Sequence, residues 1–296
     1  MKADELRKPR WIRTVWQQTA EAKRVRSSLR ELQLNTVCEE SSCPNRGECY
    51  NSGTCTFLIM GSICTRGCRF CDVTSGHPTP LDPLEPKKVA ESIHQLNLKY
   101  VVITSVDRDD LADYGADHFA ATIDEIRNNC PGVGIEVLTP DFQGNAEALK
   151  TVLNSKPDVF AHNLETVRRL TPLVRDQRAD YDVSLSVFRL ANTFAPDIPV
   201  KTGLMVGLGE TDEEILESIS NAFDAGARSI TIGQYLRPGK HHLQVQRFVN
   251  PEIFDGYAQY AYGLGYSSVA SGPMVRSSYR AEEMFSKRLF KTEKTA

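Results

Sequence analysis

Apolar runs and amphipathic stretches alternate along the chain from Thr56 onward. Strand-like runs fall at 56–60 (TFLIM), 100–105 (YVVITS), 134–138 (GIEVL), 158–162 (DVFAH), 200–206 (VKTGLMV) and 228–232 (RSITI). They are too short for helices and most are rich in β-branched residues, the pattern of buried strands. Helix-like segments lie between them, near 85–97, 116–129, 145–154, 165–170, 182–192 and 211–225. Thr211 followed by Glu214 forms a capping box at the start of the last. This rhythm implies βαβ units and a parallel sheet. Six such units suit an α/β fold of the partial (β/α)6, TIM-like barrel type, with its chemistry at the C-terminal ends of the strands. On this reading residues 56–235 form the barrel. Residues 1–55 are an N-terminal extension of helices and a cysteine loop, and residues 236–296 are a C-terminal extension that closes the site.

Residues 1–37 read as one or two helices, with Trp11, Ile12, Val15, Trp16, Leu29 and Leu32 available for packing. Residues 38–55, rich in Cys, Ser, Asn and Gly, read as an irregular loop that needs an external tie, which a metal cluster would supply. Hydrophobic content of 41% and charged content of 25% are ordinary for a soluble globular protein. No apolar run approaches the roughly 20 residues of a membrane helix. The first residues lack an uninterrupted apolar segment, and Asp4, Glu5 and Glu21 break their basic character. Neither a secretory signal nor a transit peptide is expected, so the expected location is the cytoplasm. A net charge of −3 gives no reason to expect nucleic acid or membrane as a partner. Residues 1–30 nevertheless hold nine Lys/Arg against three Asp/Glu. They form either a solvated basic helix or a docking surface for an acidic protein.

The eight cysteines change this picture, because seven lie between Cys38 and Cys71 and only Cys130 lies outside. In a reducing compartment such density reads as metal ligation or redox chemistry, not disulfides. Cys64, Cys68 and Cys71 are spaced C-x3-C-x2-C in the loop after the first strand. Three thiolates on one short loop can hold three irons of a cubane and leave the fourth open to a ligand. Arg66, Arg69 and the loop amides would offset the negative charge, and Phe70 would shield the site from water. A structural zinc site wants four ligands, usually as paired C-x2-C units, and fits this spacing poorly.

C-x3-C-x2-C with an aromatic residue before the last cysteine resembles the signature of the radical SAM superfamily. The resemblance implies a 4Fe–4S cluster that binds S-adenosylmethionine (SAM) and, on one-electron reduction, releases a 5′-deoxyadenosyl radical. It also implies SAM contacts. Thr104 and Ser105 stand where the superfamily often has Gly-Gly-Glu, Asn163 and Glu165 follow the fourth strand, and Lys201 and Gly203 lie on a glycine-bearing strand. Arg237, in Tyr-Leu-Arg-Pro, would contact SAM or the carrier, or merely shape a surface loop.

Cys38, Cys43 and Cys49 form a second set, C-x4-C-x5-C. Cys55 could complete a four-cysteine site, or it could be a buried thiol at the start of the first strand. Near the other end stands Arg276-Ser277-Ser278-Tyr279. These motifs together resemble the lipoyl synthase family, as do Lys8-Pro9-x-Trp11, Val106-Asp-Arg-Asp-Asp110 and His162-Asn-Leu-Glu-Thr166, over nearly the whole chain. Cys55 departs from the small residue expected there. The resemblance implies that Ser278 joins Cys38, Cys43 and Cys49 on an auxiliary 4Fe–4S cluster that donates sulfur. It implies two sulfur insertions, at C6 and C8 of a protein-bound octanoyl-lysine, with two SAM consumed per product. Implied partners are an octanoylated carrier domain (2-oxoacid dehydrogenase E2 or the glycine cleavage H protein), an electron donor such as ferredoxin or flavodoxin, and a cluster-repair scaffold protein. Biotin synthase or a methylthiotransferase would share the sulfur chemistry but would not explain the second set with Arg-Ser-Ser-Tyr. A zinc-binding interaction module using Cys38, Cys43, Cys49 and Cys55 is the rival from another class. His241 and His242 read as solvated, and Asp107, Asp109 and Asp110 as carboxylates at a helix start.

Overall fold

The computed structural model describes residues 6–14 and 19–285. It begins with helix α1 (Ala20–Glu31), strand β1 (Asn35–Thr36), helices α2 (Val37–Glu40) and α3 (Arg46–Asn51), strands β2 (Thr56–Ile59), β3 (Ile63–Cys64) and β4 (Thr74–Ser75), and helix α4 (Glu85–Leu96). Next come β5 (Tyr100–Ser105), α5 (Ala116–Asn129), β6 (Gly134–Leu138), α6 (Ala146–Asn154), β7 (Val159–Ala161), α7 (Thr171–Val174) and α8 (Tyr181–Phe194). The remainder is β8 (Val200–Val206), α9 (Asp212–Asp224), β9 (Ser229–Gln234), α10 (Pro251–Leu264) and β10 (Ser268–Gly272).

The main sheet runs β1-β2-β5-β6-β7-β8-β9-β10 and does not close. Only β1 with β2 is antiparallel; β2 through β10 are parallel throughout. All six expected strands are therefore present, but the sheet does not stop there. β10 extends it on β9, pairing Ser268 with Ser229 through Gly272 with Gly233. Its sequence, Ser-Val-Ala-Ser-Gly, lacks the branched apolar run that marks the others, since it sits half-buried at an edge.

Other departures have local causes. The segment expected as a helix near 165–170 is a 3-10 turn at Arg168–Leu170 leading into α7, which Pro172 helps to start. The cysteine loop contains α2 and α3. Thr36 caps α2 by accepting from Glu39 N–H at 3.3 Å, and its hydroxyl bonds to the Tyr50 hydroxyl at 2.9 Å. These hydrogen bonds help to order the loop. In the N-terminal extension Leu29 is buried, but Trp11 is 44% exposed. Val15 and Trp16 lie outside the described residues.

At the starts of the strands, away from their C-terminal ends, a polar set is buried. Lys201 Nζ donates to Glu136 Oε1 at 2.7 Å, and the Tyr100 hydroxyl donates to Glu136 Oε2 at 2.9 Å. Phe285 packs on the Tyr100 ring, centroids 5.2 Å apart. Removing one partner of a buried ion pair costs more than removing both. Lys201→Met should lower stability by about 3–5 kcal/mol, and Lys201→Met with Glu136→Leu should recover most of it, as read from urea midpoints.

Candidate functional site

A cavity of about 580 Å³ opens at the C-terminal ends of the strands. It is walled by Thr104–Asp107 at the end of β5, Leu138–Asp141 at the end of β6, His162, Asn163 and Glu165 after β7, Gly203–Met205 on β8 and Gly233–Pro238 at β9. Cys64, Cys68 and Cys71 line one side. Cys43 from the N-terminal extension and Ser277 and Ser278 from the C-terminal extension line it too.

The first thiol set hangs from β3, and the β3–β4 ladder (Ile63 with Thr74, Cys64 with Ser75) clasps the loop that carries it. Backbone amides point at the sulfurs: Arg66 and Asp107 N–H at 3.4 and 3.3 Å from Cys64 Sγ, and Asp176 N–H at 3.3 Å from Cys68 Sγ. Burial pushes the Cys64 and Cys71 thiols up to about 12 and Cys68 to about 11. Such thiols become thiolates only against a metal's charge. The amide donors and the all-sulfur ligand set fit an iron–sulfur cluster.

Arg66 does not serve as the expected counter-charge. Its guanidinium, 3% exposed, donates from Nε and Nη2 to Asp109 at 2.9 and 2.8 Å and from Nη1 and Nη2 to Asp141 at 2.8 and 2.7 Å. Asp107 lies 3.2 Å from Nε. The carboxylates expected at a helix start are instead ion-paired, with Asp110 on Arg108 at 2.8 Å. Arg69 is exposed and donates to the Leu173 carbonyl at 3.1 Å. Burial pushes Asp141 up, but the bonds from Arg66 outweigh it and hold the carboxyl below its ordinary range. Asp107 has weaker compensation, and burial leaves it at about 6.

In the second set, Cys38, Cys43 and Cys49 lie within one another's electrostatic reach, and Thr56 N–H bonds to the Cys38 sulfur. Burial pushes Cys38 and Cys49 up to about 12. Ser278 meets this set through Thr56, whose hydroxyl donates to Ser278 Oγ at 2.8 Å. The two extensions are lashed together here. Asn45 Nδ2 donates to the Met274 carbonyl at 2.7 Å, and the Tyr279 hydroxyl donates to Glu48 at 2.8 Å. Cys55 is 5% exposed and belongs to the hydrophobic core. Among the described residues, no three His, Cys, Asp or Glu side chains are placed to share one metal ion.

Residues 58–222 match the radical SAM superfamily. The chain is 53% identical over 279 residues to the lipoyl synthase of Thermus thermophilus, covering 94% of this chain and 86% of that protein. It is also 53% identical over 280 residues to the lipoyl synthase of an Anaeromyxobacter species, covering 94% and 95%. The chain belongs to the lipoyl synthase family. It is a SAM-dependent radical enzyme that inserts sulfur, using 4Fe–4S clusters and SAM. Its fold is shared with the FeFe-hydrogenase maturase HydG of Carboxydothermus hydrogenoformans, TM-score 0.53 at 15% identity, over 78% of this chain and 65% of that one.

A lipoyl synthase needs somewhere to hold SAM, and two buried hydroxyls on the cavity wall, Ser105 Oγ and Thr139 Oγ1, have no partner among the described residues. Thr104 also lines the cavity, but its hydroxyl donates to the Leu138 carbonyl at 2.9 Å. Asn163 Nδ2 donates to Glu165 Oε1 at 3.0 Å, and Glu165 takes a left-handed backbone, φ +67°. Gly203 leaves room: a Cβ there would stand 2.7 Å from Asn163 Oδ1 and 2.9 Å from Thr231 Oγ1. Arg237 lines the cavity, yet it also folds its own loop by donating to the His242 carbonyl at 3.0 Å. Lys201 does not line the cavity; it is bound to Glu136. His242, read as solvated, is half-buried with Nε2 3.0 Å from the Cys71 carbonyl.

Sequence reasoning missed Thr139, Arg175 and the role of His162. Arg175 is 8% exposed, lines the cavity and donates to Ser184 Oγ at 2.9 Å. No motif marks it; the only cue is a cation between apolar runs. His162 bridges the Thr139 carbonyl (2.9 Å) and Ser184 Oγ (3.0 Å). Burial, then the nearby Arg175, push it down to about 4 from 6.5, so it is neutral at pH 7. The unfolded chain then gains a proton before the native one as pH falls, and stability drops between pH 6.5 and 4. By pH 5 this loss should reach about 2 kcal/mol. A His162→Gln protein should lack that part of the decline in urea midpoint measured from pH 7.5 to 5.

Proposed function

We propose that this enzyme inserts sulfur at C6 and C8 of an octanoyl chain amide-linked to a lysine of a carrier domain, consuming two SAM per product. The observation that carries the reading is that all three thiols of the first set, Cys43 of the second, and Ser278 line one cavity. Cys64, Cys68 and Cys71 would hold the SAM-binding 4Fe–4S cluster. Cys38, Cys43, Cys49 and Ser278 would hold the auxiliary one. When bound, these groups supply the one-electron chemistry and the sulfur that unactivated C–H bonds require. The chain's own residues bind and orient. Ser105, Thr104, Asn163, Glu165 and Gly203 accommodate SAM beside the first cluster loop. Arg175 offers a buried cation there, and Lys201 acts only by neutralising Glu136. Arg237 and His242 fix the loop behind Cys71, and Phe70 keeps water from the thiols.

The carrier is the 2-oxoacid dehydrogenase E2 component or the glycine cleavage H protein. A ferredoxin- or flavodoxin-type donor supplies electrons, and a scaffold protein rebuilds the auxiliary cluster. Thiol-held clusters suit a reducing compartment such as the cytoplasm. Among the described residues no helix is long and apolar enough to cross a membrane.

Metal analysis tests the ligand assignment. Anaerobically reconstituted protein should hold about eight irons with matching sulfide. Replacing Cys64, Cys68 and Cys71 by alanine should leave about four, and so should replacing Cys38, Cys43 and Cys49. Zinc in place of iron, or all iron lost from either triple variant alone, would overturn the assignment.

A further inference from the structure

We propose that residues 6–14 form a docking strap for an acidic face of the octanoylated carrier domain, a proposal that rests on the substrate class given above. The strap reads Leu-Arg-Lys-Pro-Arg-Trp-Ile-Arg-Thr, with four cations and no carboxylate. Arg7, Lys8, Arg10 and Arg13 are all exposed. Among the described residues, none of the four has an ion-pair partner. Lys8 and Thr14, near the two ends of the strap, both line the cavity where the thiols gather. This run of charge, unpaired among the described residues, therefore lies along the rim of the active site.

The rim is where a carrier must sit. The reacting carbons belong to one unbranched acyl-lysine arm, so the folded domain bearing that arm has to abut the mouth while the arm reaches inside. A partner presenting carboxylates would meet Arg7, Arg10 and Arg13 there. Opposite charges at a rim act chiefly on the association rate and its salt dependence. Their reach is about 10 Å at 0.1 M salt and shrinks as salt rises. The whole chain carries −3, so this cationic stretch runs against the molecule's average charge.

The second observation is apolar. Trp11 is 44% exposed and Leu6 is 49% exposed, interleaved with the arginines. A merely solvated basic segment has no use for an exposed indole. Tryptophan beside arginine is the pairing enriched where protein interfaces hold most of their binding energy. The cations would steer the carrier, and Trp11 would anchor it once docked.

The test compares two substrates on reconstituted full-length enzyme: the intact octanoylated carrier domain and a short octanoyl-lysine peptide. The variant is Arg7→Glu with Arg10→Glu and Arg13→Glu, which leaves the cavity-lining Lys8 untouched. Under single-turnover conditions its rate at sub-saturating carrier domain should fall about 10-fold at low salt, through weaker binding, and the gap should close in 0.5 M salt as screening takes hold. Its turnover of the peptide should match wild type, with unchanged iron content. Trp11→Ala should weaken carrier binding at both salt concentrations and also spare the peptide. Equal handling of the carrier domain by wild type and both variants would overturn the proposal. So would parallel loss of peptide turnover, which would place the strap's role in the cavity. If the wild-type enzyme itself fails to convert the peptide, the substrate reading fails instead, and titration of the carrier domain still reports on docking.

Discussion

Replacing Arg66 by methionine is expected to destabilise the protein by about 3–5 kcal/mol, among the largest effects of any single substitution. The guanidinium is nearly out of solvent and joins Asp109, Asp141 and Asp107, which come from two different strand-end loops. Without it, buried carboxylates face one another with little remaining compensation. The remaining cations sit at longer range, Arg178 Nη1 at 3.3 Å from Asp109 and Arg175 Nη2 at 3.9 Å from Asp141. Lysine should rescue only part of the loss, because an ammonium cannot grip two carboxylates with a planar fork. The damage should also reach the first thiol set, since Arg66 N–H bonds to Cys64 Sγ and the Arg66 carbonyl accepts from the Ser75 hydroxyl at 2.7 Å. Urea midpoints for wild type, Arg66→Met and Arg66→Lys should fall in the order wild type, lysine, methionine. A methionine protein as stable as wild type would mean that the three carboxylates do not depend on Arg66.

The second large effect separates the two halves of the chemistry. Ser278→Ala is expected to keep SAM cleavage while sulfur insertion falls about 10- to 100-fold, the scale on which disturbing a metal site acts. Ser278 reaches the second thiol set through its bond with Thr56, whose own N–H serves Cys38. It takes no part in the loop bearing Cys64, Cys68 and Cys71. On the proposed assignment, a serine oxygen is a harder ligand than thiolate and would release more readily from a cluster that gives up its sulfur. Deoxyadenosine and modified peptide, measured in one reaction, should therefore uncouple in this variant. Full product from Ser278→Ala would remove the special role of that ligand.

Much of this was legible in the sequence because the responsible signals are local. Six strands declared themselves by short β-branched runs, and both thiol sets by spacing within a few residues. β10 was not legible, because an edge strand of small polar residues has no periodic apolar face. The buried ion network was missed for a different reason. Arg66 looked like a counter-charge to its neighbouring cysteines, but its partners are 43 and 75 residues away, and only the fold brings them together. Lys201 shows the same limit. Its place on a glycine-bearing strand suggested a cofactor contact, while the strand's register sets it beside Glu136, 65 residues earlier. His242 is held by the Cys71 carbonyl, 171 residues before it, a contact that no local pattern announces. Ser105, chosen from sequence, lies on the cavity wall with its hydroxyl unpartnered among the described residues.

The most direct test of the central claim is an anaerobic single-turnover reaction of the reconstituted enzyme with SAM, a strong reductant and an octanoyl-lysine peptide. Peptide mass and 5′-deoxyadenosine would be followed together. The expected product has gained two sulfurs and, counted in its oxidised form, lost two hydrogens, with two deoxyadenosines formed per peptide. Deoxyadenosine formed without any sulfur reaching the peptide would contradict octanoyl-lysine as the substrate and the second thiol set as holder of the sulfur source.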